Sequence, residues 1–118
     1  MDSEELKKRT KDFAHRCVKL AMALPDTPLG RHIRMQLIRC GTSVGANYRS
    51  ACRGRSRAEF AAKIGIVLEE VDETDYWLSL LKDSGYLAIE EHTVLACKCI
   101  ELVKLLTSSI NTTKSNSK

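Results

Sequence analysis

Apolar residues recur at three- and four-residue steps through four successive stretches of this 118-residue chain, and proline or glycine separates the stretches. That period puts the apolar side chains on one face of a helix. No stretch shows the strict alternation of a half-buried strand. A chain with four amphipathic helices and short connections can bury all four apolar faces only by packing them together. The expected fold is therefore all-α, an up-down-up-down antiparallel four-helix bundle. It forms one domain over residues 1–110, with helices at about 3–24, 28–53, 57–84 and 88–110. Residues 111–118 (NTTKSNSK) have no apolar face and are expected to be a disordered polar tail.

Local signals set the boundaries. Ser3 is the expected N-cap of the first helix, with Glu4 and Glu5 in the first turn, where acids suit the helix dipole. Leu6, Phe13, Cys17, Leu20 and Leu24 form its stripe. Pro25 ends it, because the residue before a proline disfavours the α region. Thr27 followed by Pro28 starts the second helix, with the stripe Ile33, Leu37, Cys40, Val44 and Tyr48. Gly54 takes the position after its cap. Ser56 caps the third helix, and Glu59 three residues on fits a capping box. Phe60, Ile64, Val67, Val71, Leu78 and Leu81 form the third stripe, widened by Leu68 and Tyr76. Gly85 ends that helix. In the fourth, the stripe is read as Ile89, Ala96, Ile100, Val103 and Leu106.

Composition narrows the function classes. At 43% hydrophobic and 29% charged the chain is an ordinary globular one, and aromatics are only 5%. No apolar run approaches the ~18 residues that span a bilayer. Charges stand where a leader peptide needs its apolar region, so a cytoplasmic protein is expected. The five cysteines, Cys17, Cys40, Cys52, Cys97 and Cys99, are expected to be reduced. Cys97 and Cys99 are one residue apart, and His15 and Cys17 likewise, neither of which is a zinc-ligand spacing. A di-iron bundle needs Glu-x-x-His pairs, and no histidine (His15, His32, His92) has a Glu three residues ahead. No catalytic residue, metal or cofactor is expected, and the chain reads as a non-enzyme.

Charge distribution says more than the net +4. From Pro25 to Leu68 stand eight basic residues, Arg31, Arg34, Arg39, Arg49, Arg53, Arg55, Arg57 and Lys63, against Asp26 and Glu59. From Glu69 to Glu91 eight acids oppose Lys82. Arginine's planar fork suits phosphate and carboxylate. Two readings follow. The basic residues bind the phosphate backbone of nucleic acid, or they are solvated or paired with acids such as Asp72–Asp75 of a neighbour. Few aromatics argues against base stacking. The opposite charges of the two halves suit a ring of subunits.

Gly41 and Gly45 lie inside the second helix, and each costs roughly 1 kcal/mol against alanine. Close approach of a helix, from this chain or another subunit, is the expected reason, with a pressed ligand as the alternative. Ser43 and Asn47 are expected to make interhelical hydrogen bonds, or else to touch a ligand or nucleic acid. Trp77 lies off the main stripe and is expected at an interface.

Three segments together carry a resemblance: LPDTPLGRHIRMQLIRC, then TSVGANYR with Ser43 and Asn47 four apart, then SRAEFAAKIGIVLEEVDETDYWLSLL. From about Leu20 to Leu105 the chain resembles the four-helix-bundle family of 23S rRNA intervening-sequence proteins. The resemblance implies a small bacterial protein, a homopentamer, and no established catalytic activity. A relative is the accessory protein of diversity-generating retroelements. That likeness implies a basic surface for nucleic acid and a partner such as a reverse transcriptase. Many members have N-I-A-E-G where this chain has Asn47-Tyr48-Arg49-Ser50-Ala51, so the stretch is more cationic here. The expected function is non-catalytic RNA or DNA binding by an oligomeric bundle. The alternative is a protein–protein adaptor whose arginines serve subunit contacts.

Overall fold

The computed structural model describes residues 2–115, and four helices account for most of them: α1 (Ser3–Ala23), α2 (Pro28–Cys52), α3 (Arg57–Asp83) and α4 (Ile89–Ser115). No strand occurs among the described residues. Three helix starts share one device. Asp2 Oδ1 accepts from the Glu5 amide at 2.8 Å, Thr27 Oγ1 from Gly30 at 3.0 Å, and Ser56 Oγ from Glu59 at 3.0 Å. Each bond satisfies an amide that the helix leaves without a partner. Asp2, not Ser3, therefore caps α1, and its carboxylate adds favourable charge at the positive end of the dipole.

The helix ends also have physical causes. Leu24 is extended ahead of Pro25. Gly85 has φ of 77° and closes α3 in a Schellman turn: Tyr86 N donates to Leu81 O at 2.9 Å and Gly85 N to Lys82 O at 3.1 Å. Gly54 follows the cap of α2 without that left-handed turn. Its missing side chain relieves crowding instead, since a Cβ there would lie 3.0 Å from Ala51 O and 3.3 Å from Phe60 N. At the opposite end of the bundle the Thr27 and Tyr86 hydroxyls meet at 2.8 Å and tie the α1–α2 turn to the α3–α4 turn.

The helices run antiparallel in sequence order within 52 × 22 × 19 Å. α2 packs along both α1 and α3, α4 packs chiefly on α3, and α1 and α4 barely touch. The core combines Leu6, Phe13, Cys17, Ile33, Leu37, Val44, Tyr48, Ile64, Val67, Val71, Leu78, Leu81 and Leu106, nearly all fully enclosed. Each such large aliphatic contributes roughly 2 kcal/mol of burial. Two polar side chains join them and are satisfied. Thr10 Oγ1 donates to Leu6 O, and Thr74 Oγ1 donates to Glu70 O at 2.8 Å beside Cys40 Sγ.

Three further details differ from the sequence reading. The buried stripe of α4 is Leu95, Cys99, Leu102 and Leu106, whereas Ile89, Ile100 and Val103 are exposed. Turning that flank inward would bring Lys104 to the edge of the core and expel Leu95 and Leu102. Tyr76 is 61% exposed rather than part of the α3 stripe. Finally, α4 continues through Ser115, because no glycine or proline follows Ile110 to stop it. The expected tail thus overlaps the helix at 111–115, and its remainder, 116–118, lies outside the described residues.

Candidate nucleic-acid interface

The up-down order puts the α2–α3 turn beside the start of α1 and the end of α4. The eight basic residues of the central hairpin do not share one place. At 1.5 Å per residue, Arg31 and Arg49 are roughly 27 Å apart along α2. Arg31, near the α1–α2 turn, pairs with Asp26 at 2.9 Å. Arg34 is half-buried, and its guanidinium donates to the Ala21 and Leu24 carbonyls at 3.2 and 2.9 Å, closing the end of α1. Arg39, midway, reaches across to α3, where it meets Glu70 at 3.5 Å and Glu73 in a shorter contact. Arg34 and Arg39 thus bridge helices, whereas Arg31 is paired only within the α1–α2 turn.

The remaining five gather at the other end. Arg49 and Arg53 leave the last turns of α2, Arg55 sits in the loop, and Arg57 and Lys63 lie on the first turns of α3. Arg49, Arg53, Arg55 and Arg57 are exposed, and Lys63 is half-buried. Among the described residues, no carboxylate forms an ion pair with Arg49, Arg53, Arg55 or Lys63.

A neighbouring feature escaped the sequence reading. Lys7 and Lys11 of α1 stand across a shallow groove of about 290 Å³ from Arg49 of α2, over a floor of Ala14, Thr42, Gly45 and Ala46. The two lysines are one helical turn apart, the only hint the sequence held. Nothing in their own helix tied them to an arginine 38 positions later. Lys7 also touches Glu4 at 3.1 Å; this is an exposed pair worth well under 1 kcal/mol.

The small-residue segment divides. A Cβ on Gly41 would lie 2.6 Å from Cys17 Cβ and 2.9 Å from its Sγ, so close approach of α1 requires this glycine. On Gly45 it would meet Thr10 O at 3.5 Å, an ordinary contact. Ser43 and Asn47 bond back within α2, Ser43 Oγ to Arg39 O at 2.6 Å and Asn47 Nδ2 to Ser43 O at 2.9 Å, rather than across to a neighbouring helix. Trp77 is half-buried on α3. Its ring meets His32 of α2 edge-on at 5.5 Å and Tyr76 at 5.1 Å, and its Nε1 donates to Glu73 at 3.3 Å.

Other chemistry is limited. All five cysteines are free thiols. Burial pushes the Cys17 thiol up to about 12 and raises Cys40 and Cys99 as well, so these thiols stay protonated. Among the described residues no group of three or more His, Cys, Asp or Glu could hold a metal ion, and no helix is long and apolar enough to cross a membrane. A second, apolar groove lies between α3 and α4, lined by Val71, Cys99, Ile100 and Val103 and flanked by Asp72, Asp75 and Lys104.

Comparison with known proteins gives a family match and similar solved structures. The family profile described as 23S rRNA-intervening sequence protein matches residues 3–108. A crystal structure of a protein of unknown function from the S23 ribosomal protein family of Bacteroides thetaiotaomicron superposes with a TM-score of 0.87. It is 37% identical, over 94% of this chain and 99% of that one. No curated protein matches.

Proposed function

Because the chain belongs to the 23S rRNA-intervening sequence protein family, we propose that it is a non-catalytic, homo-oligomeric bundle that binds the phosphate backbone of RNA or DNA. One observation carries this reading. The arginines of the central hairpin sort into two sets: Arg31, Arg34 and Arg39 bond to carbonyls or acids of this chain, while Arg49, Arg53 and Arg55, with Lys63 nearby, form no ion pair among the described residues at one end of the bundle. Unpaired cations displace condensed counterions from a polyanion, which gives affinity that is weak in sequence preference and steep in salt. The pentamer and the reverse-transcriptase-like partner implied by the family resemblance belong to this proposal, as does action in the bacterial cytoplasm.

A second reading, a protein-interaction adaptor, draws support from the apolar α3–α4 groove and the exposed Tyr76, Ile66 and Ile100. Light scattering after size exclusion, with and without a structured RNA at low and high salt, separates the two. Under the first reading Arg49→Glu/Arg53→Glu abolishes RNA binding and leaves the oligomer intact. An oligomer that dissociates with this variant, while the parent protein never shifts with RNA, would overturn the nucleic-acid reading in favour of arginines used between subunits.

A further inference from the structure

We infer that the α1–α2 groove is the seat of the bound phosphate chain, with Lys7 and Lys11 on one wall and Arg49 on the other. This inference rests on the nucleic-acid reading above and names the path the strand takes. The groove is cationic on both sides, and no carboxylate lines it. Its floor is made of residues with little or no side chain, Ala14, Gly45 and Ala46, together with Thr42, whose hydroxyl is turned back onto the Ile38 carbonyl. A strand can therefore approach the helix backbones without displacing a large side chain, and at the wall it competes only with the exposed contact of Lys7 to Glu4.

At the centre of the floor, the internal packing of the bundle does not require a glycine. At Gly45 an alanine Cβ would make ordinary contacts with α1, yet the glycine taxes an interior helical position by roughly 1 kcal/mol. Room on the outside of the helix pair is what the small side chains provide. Charge spacing fits a phosphate chain too: Lys7 and Lys11 are about 6 Å apart along α1, a separation at which each ammonium can serve its own phosphate. Four residues beyond Arg49 on the same side of α2 stands Arg53, followed by Arg55 in the loop, so the groove leads onto the unpaired cations of the bundle end. No aromatic side chain lines the groove, so contact is with the backbone of the nucleic acid and not with stacked bases.

The test is fluorescence anisotropy of a labelled RNA hairpin and of a DNA duplex against the full chain, over roughly 50 to 200 mM salt. Ala46→Leu fills the exposed floor without changing charge, and about a tenfold loss of affinity is expected, on the order of losing one or two contacts. Lys7→Gln/Lys11→Gln should flatten the slope of log K against log salt by about 1.8 on the DNA duplex. Lys98→Gln/Lys104→Gln removes the same charge from α4 and should leave both affinity and slope close to the parent. Circular dichroism and thermal melting confirm that each variant folds. If the parent binds and Ala46→Leu and the α1 lysine pair match it in affinity and slope, the groove is not the path, and only the wider nucleic-acid reading survives. An α4 pair that loses as much as the α1 pair also overturns the groove, because net charge then explains both. If the parent binds neither probe, the wider reading fails and takes the groove with it.

Discussion

The same substitution, glycine to alanine, should have opposite signs at three helical positions of this bundle. In an exposed helix interior alanine is favoured over glycine by roughly 1 kcal/mol. At Gly65 a new Cβ finds nothing within 4 Å, so the full gain should appear. At Gly45 the nearest atoms are 3.5 to 3.7 Å away, and most of the gain should survive. Gly41 differs. Its Cβ would sit 2.6 Å from Cys17 Cβ and 2.9 Å from Cys17 Sγ, with both residues buried. Carbon atoms rest at about 3.5–4.0 Å, so α1 and α2 must part by roughly 1 Å or twist locally. Overpacking of that kind costs about 1–3 kcal/mol, which offsets the helical gain and leaves a net loss near 1 kcal/mol. Gly41→Ala and Gly65→Ala should thus differ by about 2 kcal/mol, or roughly 10 °C in Tm for a domain of this size. Urea unfolding followed by circular dichroism, at fixed protomer concentration because oligomers gain stability by mass action, reads the difference directly. Equal stabilisation by Gly41→Ala and Gly65→Ala would refute the close crossing of α1 over α2.

Two further predictions follow from the burial pattern. The thiols of Cys17, Cys40 and Cys99 are held protonated by burial, that of Cys17 up to about 12 against an ordinary 9.0. Below pH 9 both folded and unfolded chains keep these protons. Above it only the unfolded chain releases them, so stability should fall by up to ~1.4 kcal/mol per pH unit for each thiol. Urea midpoints at pH 7, 9 and 10 check the sign, and a flat profile to pH 10 contradicts it. Arg34→Ala strips donors from the Ala21 and Leu24 carbonyls and should cost about 1–3 kcal/mol. Arg31→Ala, which breaks only the exposed pair with Asp26, should cost under about 0.5 kcal/mol, and urea unfolding of the two variants checks the difference.

Where the sequence was informative, the information was local. Thr27, Pro28, Ser56 and Gly85 act on the backbone within four residues of themselves, so the three turns they define are where the pattern put them. The phase of α4 was not local. Leu95, Cys99, Leu102 and Leu106 repeat at helical spacing, and so do Ile89, Ala96, Ile100 and Val103. Only the placement of α3 and α1 decides which set turns inward. The same limit applied to the basic residues. A run of arginines in the chain looks continuous, but a straight helix spreads it over its own length, and Arg34 and Arg39 were recruited by carbonyls and acids far away in sequence. Lys7 and Lys11 became visible beside Arg49 only once α1 was folded against α2. Ser43 and Asn47 found partners one turn back in their own helix, an option open to any short polar side chain there.

An even number of antiparallel helices has a practical consequence for anyone handling this molecule. Ser3 of α1 and Thr112 of α4 line one hollow with Tyr48 and Phe60, at the pole of the α2–α3 turn, while the turns tied together by Thr27 and Tyr86 lie at the far pole. A dye or fused domain attached near Ser3 or Thr112 would crowd the cationic pole, and an acidic attachment there could occupy it as a decoy. A label placed at Ser84 or Asp26, on the opposite pole, would leave the doorway clear.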